Sequence, residues 1–421
     1  MVILGWCMFY TYQFIAHPLP TSSVASEAIF YAFASESAWP VLTEAIAISL
    51  TALILLKSVK TIERANLVLA PTLILLLVVI FVWSMTRPGS GDGLQFMFSP
   101  DWDTLKSPLL WVDAATQNAF DTGAGTGIFV AYAAYMAKDT PVVKYAFFIP
   151  IMNNVVSLIS GMLIFSTVFS TSREQNPNIT DVEILDLLRE TGPGSTGLTF
   201  IWLPVLLDTA GTFGRVIAVT FFLCLVCAAL SSAIAILEMI THAFDDFGMP
   251  RIASVLSATT ATFILGLGSA LNLEYLTNQD FTWGLALLLN GMLLQYLVIR
   301  FGVATYRDTV INGFSKTDWK INISWDIMVK FIAPFEAVLL LGWYFVSEII
   351  DTEDGAWYQL RSESLLTLII QWACTLIILL SINFIVLKLV PAAVIKTYEL
   401  MISSDNLDDA TAAATKKEDD A

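Results

Sequence analysis

Charge is scarce in this chain. Asp, Glu, Lys and Arg make up 14% of the 421 residues, hydrophobic residues 56%, and mean hydropathy is +0.71. That scarcity excludes an ordinary soluble domain and points to a polytopic helical membrane protein. Positive charge is the scarcer sign: 21 Lys and Arg against 37 Asp and Glu leave a net −16. An acidic surface argues against nucleic-acid binding. The acidity, including DNLDD and KEDDA near the end, has two readings. It is incidental loop composition, or it marks a halophile host whose high internal salt keeps acidic surfaces hydrated. Met1 is followed at once by VILGWCMFYTYQFI with no positive residue, so no cleavable signal peptide is expected. Cysteine is sparse too. Cys7, Cys224, Cys227 and Cys374 lie in apolar stretches, and the C-x-x-C of TFFLCLVCAAL has no second ligand pair. Small buried residues account for it; a zinc or redox role would need more ligands.

What is present is a series of apolar runs long enough to span a bilayer, about 20 residues each. They fall near 2–16, 39–58, 62–85, 109–136, 142–169, 212–244, 252–271, 281–301, 327–346 and 365–390. About ten helices are therefore expected, in one membrane domain over 1–396 followed by an acidic tail over 397–421. Lys57, Lys60, Arg64, Lys138, Lys144, Arg251, Arg300, Arg307, Lys316 and Lys320 fall on alternate loops. The opposite loops carry Asp101, Asp103, Glu183, Asp186, Asp351, Glu353 and Asp354. By the positive-inside rule the first set is cytoplasmic, as is the C-terminal tail. A plasma-membrane, multi-pass protein is the expected localisation. The long outer loop 171–208 contains DVEILDLLRE at helical spacing, then the turn PGSTG. It reads as a lid-like hairpin or a passive linker.

The segment WVDAATQNAFDTGAGTGIFVAYAAY, 111–135, breaks the pattern. It places Asp121 and Gly123, Gly125 and Gly127 in the middle of a spanning run. Lipid-exposed backbone does not tolerate such a break, because unpaired N–H and C=O groups would sit in hydrocarbon. The break must be buried in protein around a polar cavity, which is how transporter sites are built. Asp121 either binds a cation or caps the second half-helix; the two roles are compatible. Asn153 and Asn154 lie in the next run, FFIPIMNNVVSLISG, as hard oxygen ligands or as interhelical hydrogen-bonding groups. Ser231 and Ser232, in CAALSSAIAI, could flank an ion together with the Ala228 carbonyl, or bond back to their own helix. Asp280 is expected to open a helix in NQDFTWG as an N-terminal cap or dipole partner.

At these residues the chain resembles the neurotransmitter:sodium symporter family. WVDAATQNAF with its glycine-rich break is similar to the family's sixth helix, TIERANLVLAPTL to the fifth, and GLQFMFSPDWDTL to the outer loop before the sixth. PIMNNVVSLISGM is similar to the seventh helix, ALSSAIAI to the eighth and QDFTWG to the tenth. The order matches and the segments span nearly the whole chain. The resemblance implies a broken-helix, inverted-repeat, all-α transporter fold of about twelve helices. This chain would begin within the third, so it is N-terminally incomplete by that count: a fragment, a misplaced start or a degenerate protein.

The resemblance also implies roles. Phe120 would be an aromatic lid. Asp121, Gly123, Thr126, Ser232 and Ile236 would line the substrate pocket. Asp121 and Asn153 would belong to one sodium site, and the Ala228 carbonyl with Ser231 and Ser232 to another. Asp280 would be an outer-gate carboxylate. Two departures stand out. The family usually has Ser or Thr where Asp121 stands, near a chloride site formed by the equivalents of Gln117, Asn153 and Ser157. And Thr61 replaces a glycine, linked to inner-half unwinding, that many relatives place ten residues before the equivalent of Pro71. The implied activity is sodium-coupled, chloride-independent symport of an amino acid or related small zwitterion, with Na+ as the only cofactor and no enzymatic chemistry. A non-transporting membrane sensor or inactive homologue, and an ion channel, are the other readings.

Overall fold

The computed structural model describes residues 1–56, 59–106, 139–189, 196–350 and 356–389. Within 107–138 it describes 110, 111, 114, 117, 118, 122, 123, 125–133, 136 and 137. The described residues form helices joined by turns and short irregular segments, with no strand. In chain order the helices are α1 (Val2–Ala16), α2 (Ser23–Ala34), α3 (Trp39–Leu55), α4 (Val59–Met85), α5 (Ser90–Met97) and α6 (Ile128–Ala133). They continue as α7 (Val142–Gln175), α8 (Asp181–Arg189), α9 (Leu203–Asp208), α10 (Gly211–Asp246), α11 (Arg251–Leu271) and α12 (Leu273–Phe301). The last two are α13 (Ile323–Ile350, with a π-helical turn) and α14 (Leu365–Ile385 in its apolar part).

Seven of these are long and apolar enough to cross a membrane, or eight if the bent pair α2–α3 is counted as one span. Large apolar side chains such as Leu265, Ile264, Leu293 and Phe335 stay exposed on them. In water such patches would be a liability; in a bilayer they are the solvent-facing surface. The compact unit Met1–Gly355 holds all the packing described below, and 356–421 forms a separate unit containing α14.

The short helix α1 is the hub. It packs on α10 and α3, and Trp6, Tyr10 and Phe14 are buried in an aromatic cluster with Phe30, Phe33, Phe200 and Phe222. Edge-to-face pairs such as Trp6–Phe30, with centroids 5.5 Å apart, are the favoured geometry of such rings. The end of α1 leaves carbonyls without helical partners. Arg215 of α10 takes two of them, Phe14 O at 2.7 Å and Ile15 O at 2.5 Å. Close crossings need small residues in membranes, and Gly5 supplies one: a Cβ there would meet the Thr43 backbone of α3 at 2.8 Å.

Three expectations change. α2 lies in what reads as a loop. It is capped by Ser22, whose side chain accepts from Ala25 N at 3.3 Å, and anchored by Ser26 donating to Ile201 O at 2.7 Å. Asp280 does not open a helix: α12 starts at Leu273, capped by Asn272, so Asp280 is exposed and inside it. In the long loop 171–208 the described residues are mostly helical. α7 continues to Gln175, and Thr180 and Glu183 form a reciprocal cap on α8. The Thr180 N–H and Oγ1 both donate to the Glu183 carboxylate, at 2.8 and 2.9 Å, and hold it below the usual range.

Candidate functional site

The break lies where the chain was expected to unwind. Gly123, Gly125 and Gly127 all have left-handed φ, +68°, +78° and +76°, a conformation that side chains with a Cβ rarely adopt. Thr126 closes the turn, its Oγ1 donating to Gly123 O at 2.8 Å. α12 grips the break from one side: Asn290 Nδ2 donates to Gly125 O. A Cβ on Gly125 would also overlap the Leu287 carbonyl. α10 packs on α6 from another side, and at Gly127 a Cβ would stand 3.3 Å from Met239 Sδ.

Two cavities flank the break. One, about 450 Å³, is mostly apolar and lies between Gly123–Met136 and α7, lined by Gly125, Gly127, Phe129, Tyr145 and Pro150 among others. The other, about 200 Å³, lies between Asn118–Thr122, α12 and α13.

Of the residues singled out from the sequence, Phe120 and Asp121 lie outside the described residues. Gly123 and Thr126 form the break itself. Asn153 sits on α7 with its Nδ2 shut from solvent and without a hydrogen-bond partner. Gln117 and Ser157 are exposed and partnered. Ser231 donates to Ala228 O at 2.8 Å, the back-bonded arrangement, while Ser232 and Ile236 are exposed. Neither flanking cavity is lined by Asn153, Ser231, Ser232 or Ile236. The structure therefore brings together the break, α10 and α12, without gathering these side chains into one enclosed pocket. Helix α4 runs through Thr61 and Pro71 without interruption. Cys224 is buried, its thiol 3.7 Å from Leu73 O.

One cluster was not anticipated. Glu238, six residues after Ser232, is fully buried. Arg251, at the start of α11, grips it through Nη2 at 2.5 Å and Nη1 at 3.1 Å, and also holds Asp245 at 2.9 Å. The same guanidinium donates to Leu55 O at the end of α3, at 3.2 Å. Glu238 is also within electrostatic reach of Tyr132 in α6. One arginine thus ties the ends of α3, α10 and α11 together next to the broken span. A single acid inside the apolar run AIAILEMI was the signal in the sequence.

On the same end, Asp318 accepts from the N–H groups of Val143 at 2.6 Å and Lys144 at 3.2 Å, capping α7. Burial pushes its carboxyl up, but those bonds, one from Trp319 N–H and the Lys144 charge hold it below the ordinary range.

A helical bundle with a glycine break gripped at membrane depth defines the class: a multi-pass membrane protein of the broken-helix transporter kind. The sequence profile of the sodium:neurotransmitter symporter family matches residues 32–399, and the chain belongs to that family. It is 25% identical over 356 residues to an uncharacterised sodium-dependent transporter of Bacillus subtilis, covering 80% of this chain and 74% of that one. It is 27% identical over 277 residues to an uncharacterised sodium-dependent transporter of Methanocaldococcus jannaschii, 63% of this chain and 54% of that one. To a sodium- and chloride-dependent GABA transporter of Drosophila melanogaster it is 30% identical over 195 residues, 46% of this chain and 20% of that one. The chain thus spans about half the length of the archaeal relative and a fifth of the fly one.

Proposed function

We propose that this chain forms part of a sodium-coupled symporter that imports an amino acid or a related small zwitterion by alternating access, independently of chloride. The observation that carries the reading is the left-handed glycine break at 123–127, gripped by α10 and α12. Freed carbonyls and half-helix ends at such a break suit the opposite charges of a zwitterion and a cation. Energy comes from the sodium gradient and the membrane potential, about 2.3 kcal/mol per charge per 100 mV. No covalent step is required.

In this reading Phe120 closes over the substrate, and Asp121, Gly123, Thr126, Ser232 and Ile236 line its site. Asp121 and Asn153 hold one sodium ion. Asn153 would bind through its amide oxygen; its buried, unpartnered Nδ2 is a donor and calls for an acceptor, not an ion. The Ala228 carbonyl, Ser231 and Ser232 hold a second ion. Ser231 gives its proton to Ala228 O, which leaves its own lone pairs available to a cation. Asp280, exposed inside α12, remains the outer-gate carboxylate. The cytoplasmic end carries the Arg251 and Asp318 contacts, the protein sits in the plasma membrane, and the acidic tail 397–421 is inside.

The test is uptake by the complete gene product in proteoliposomes. A sodium gradient should drive accumulation of at least one amino acid from a standard set, and a potassium gradient should not. Uptake that ignores the sodium gradient would overturn the proposal.

A further inference from the structure

The cavity between Asn118–Thr122, α12 and α13 belongs to none of the sites described so far. Faces of α12 and α13 converge on it together with Asn118 and Thr122. Leu287, Leu288, Gly291, Met292 and Gln295 share one face of α12, and Ala333, Glu336, Ala337 and Leu340 one face of α13. Asn118 and Thr122 are spaced one turn apart, the spacing of side chains on one helix face. The cavity is about 200 Å³, room for several waters.

Glu336 is the anomaly. It stands midway along the 28-residue span Ile323–Ile350, flanked by the lipid-exposed Phe335 and Val338. A carboxylate at that depth costs at least a few kcal/mol unless it is paired or wet. Among the described residues no Lys, Arg or His pairs with it. Gln295 also lines the cavity, and its Oε1 is a buried acceptor with no donor. A carboxylate without a counter-charge and an amide oxygen without a donor in one small cavity have the same remedy, a hard cation, which binds several oxygens at once. A proton would satisfy only the carboxyl and a single acceptor. Asn118 and Thr122 add two more side-chain oxygens to a lining that is otherwise apolar.

We propose that this cavity binds a monovalent inorganic cation, Na+ or K+, through the Glu336 carboxylate and the Gln295 amide oxygen. Asn118, Thr122 and water fill the remaining positions. The site is separate from the ions assigned to Asn153 and Ser232, and it does not depend on that assignment. Asn118 and Thr122 lie on the chain entering the glycine break, so occupancy would bias where that chain sits against α12 and α13.

The experiment is equilibrium binding of radioactive Na+ and Rb+, the latter standing for K+, to the purified complete gene product in nanodiscs, with choline replacing salt. Ser232→Ala should leave this component intact. Glu336→Gln should remove one saturable ion per chain. Gln295→Leu keeps the charge and removes an oxygen partner, so it should weaken the same component at least about tenfold, as loss of a supporting partner does at other metal sites. If Glu336→Gln does not fold, Gln295→Leu decides alone. Unchanged stoichiometry and affinity for both ions in either variant would overturn the proposal.

Discussion

Asn290 of α12 donates its side-chain amide to the carbonyl of Gly125, inside the glycine break. An unwound segment leaves such carbonyls without helical partners, and in a bilayer they must find protein. Replacing Asn290 by Leu removes one partner, a loss of about 1 kcal/mol. Sodium-driven uptake should fall and thermal unfolding should shift down. Wild-type values for both would show that the bond does not hold the break.

Gly125 and Gly211 make a matched pair. Both have left-handed φ, +78° and +60°, but a Cβ at Gly125 overlaps the Leu287 carbonyl, while at Gly211 nothing lies within 4 Å. Gly211→Ala should cost only the backbone term, about 1–2 kcal/mol. Gly125→Ala adds a clash with backbone that cannot move aside, so the folded yield on gel filtration should collapse. Equal yields would mean that α12 does not approach the break this closely.

Glu238 depends on Arg251. Removing one partner of a buried ion pair leaves an uncompensated charge and costs roughly 3–5 kcal/mol. Arg251→Met should therefore lower thermal stability sharply, and adding Glu238→Gln should recover much of the loss. Failure of the second change to rescue would place the role of Arg251 elsewhere, at the Leu55 carbonyl it also caps.

Much of this was legible beforehand. The spans at 142, 252 and 365 begin within a residue of their expected starts, because runs of Leu, Ile and Val have no other plausible environment. The glycine break was legible for the same reason. What escaped were features that depend on partners. α2 is a 12-residue stretch containing Ser and Glu, stabilised by a single cap and by Ile201, 175 positions away. NQD before Phe281 reads as a helix start, yet the helix runs through it from Leu273, capped by Asn272. Glu238 and Glu336 each look like a stray acid in an apolar run, and only the fold supplies Arg251 to one and Gln295 to the other.

Asp318 gives a pH dependence. Its folded carboxyl is held below the unfolded value of about 3.9. The unfolded state then binds the proton more readily, so the stability it contributes is present above that value and is lost as pH falls through the lower folded value. The stability difference between wild type and Asp318→Asn should be constant from neutral pH to about 4 and shrink below it. A difference that grows on acidification would contradict the cap on α7.

The chloride question turns on Asp121. The family resemblance implies a hydroxyl beside a bound chloride at this position, where the sequence has a carboxylate. A unit negative charge about 4 Å from a cation contributes roughly 4 kcal/mol at an effective dielectric of about 20, before desolvation. That is enough for a side chain to take over from an anion drawn from solution. A protonated Asp121 that merely capped the half-helix would contribute none of it, so the two roles separate in one comparison. Uptake is measured with chloride replaced by gluconate, in wild type and in Asp121→Ser. Wild type should be indifferent to the exchange. The variant should either acquire a chloride requirement, met by the residues the resemblance assigns to the anion, Gln117, Asn153 and Ser157, or lose transport. Strong chloride dependence of the wild type would mean that the carboxylate does not balance the ion, and the capping role would stand in its place.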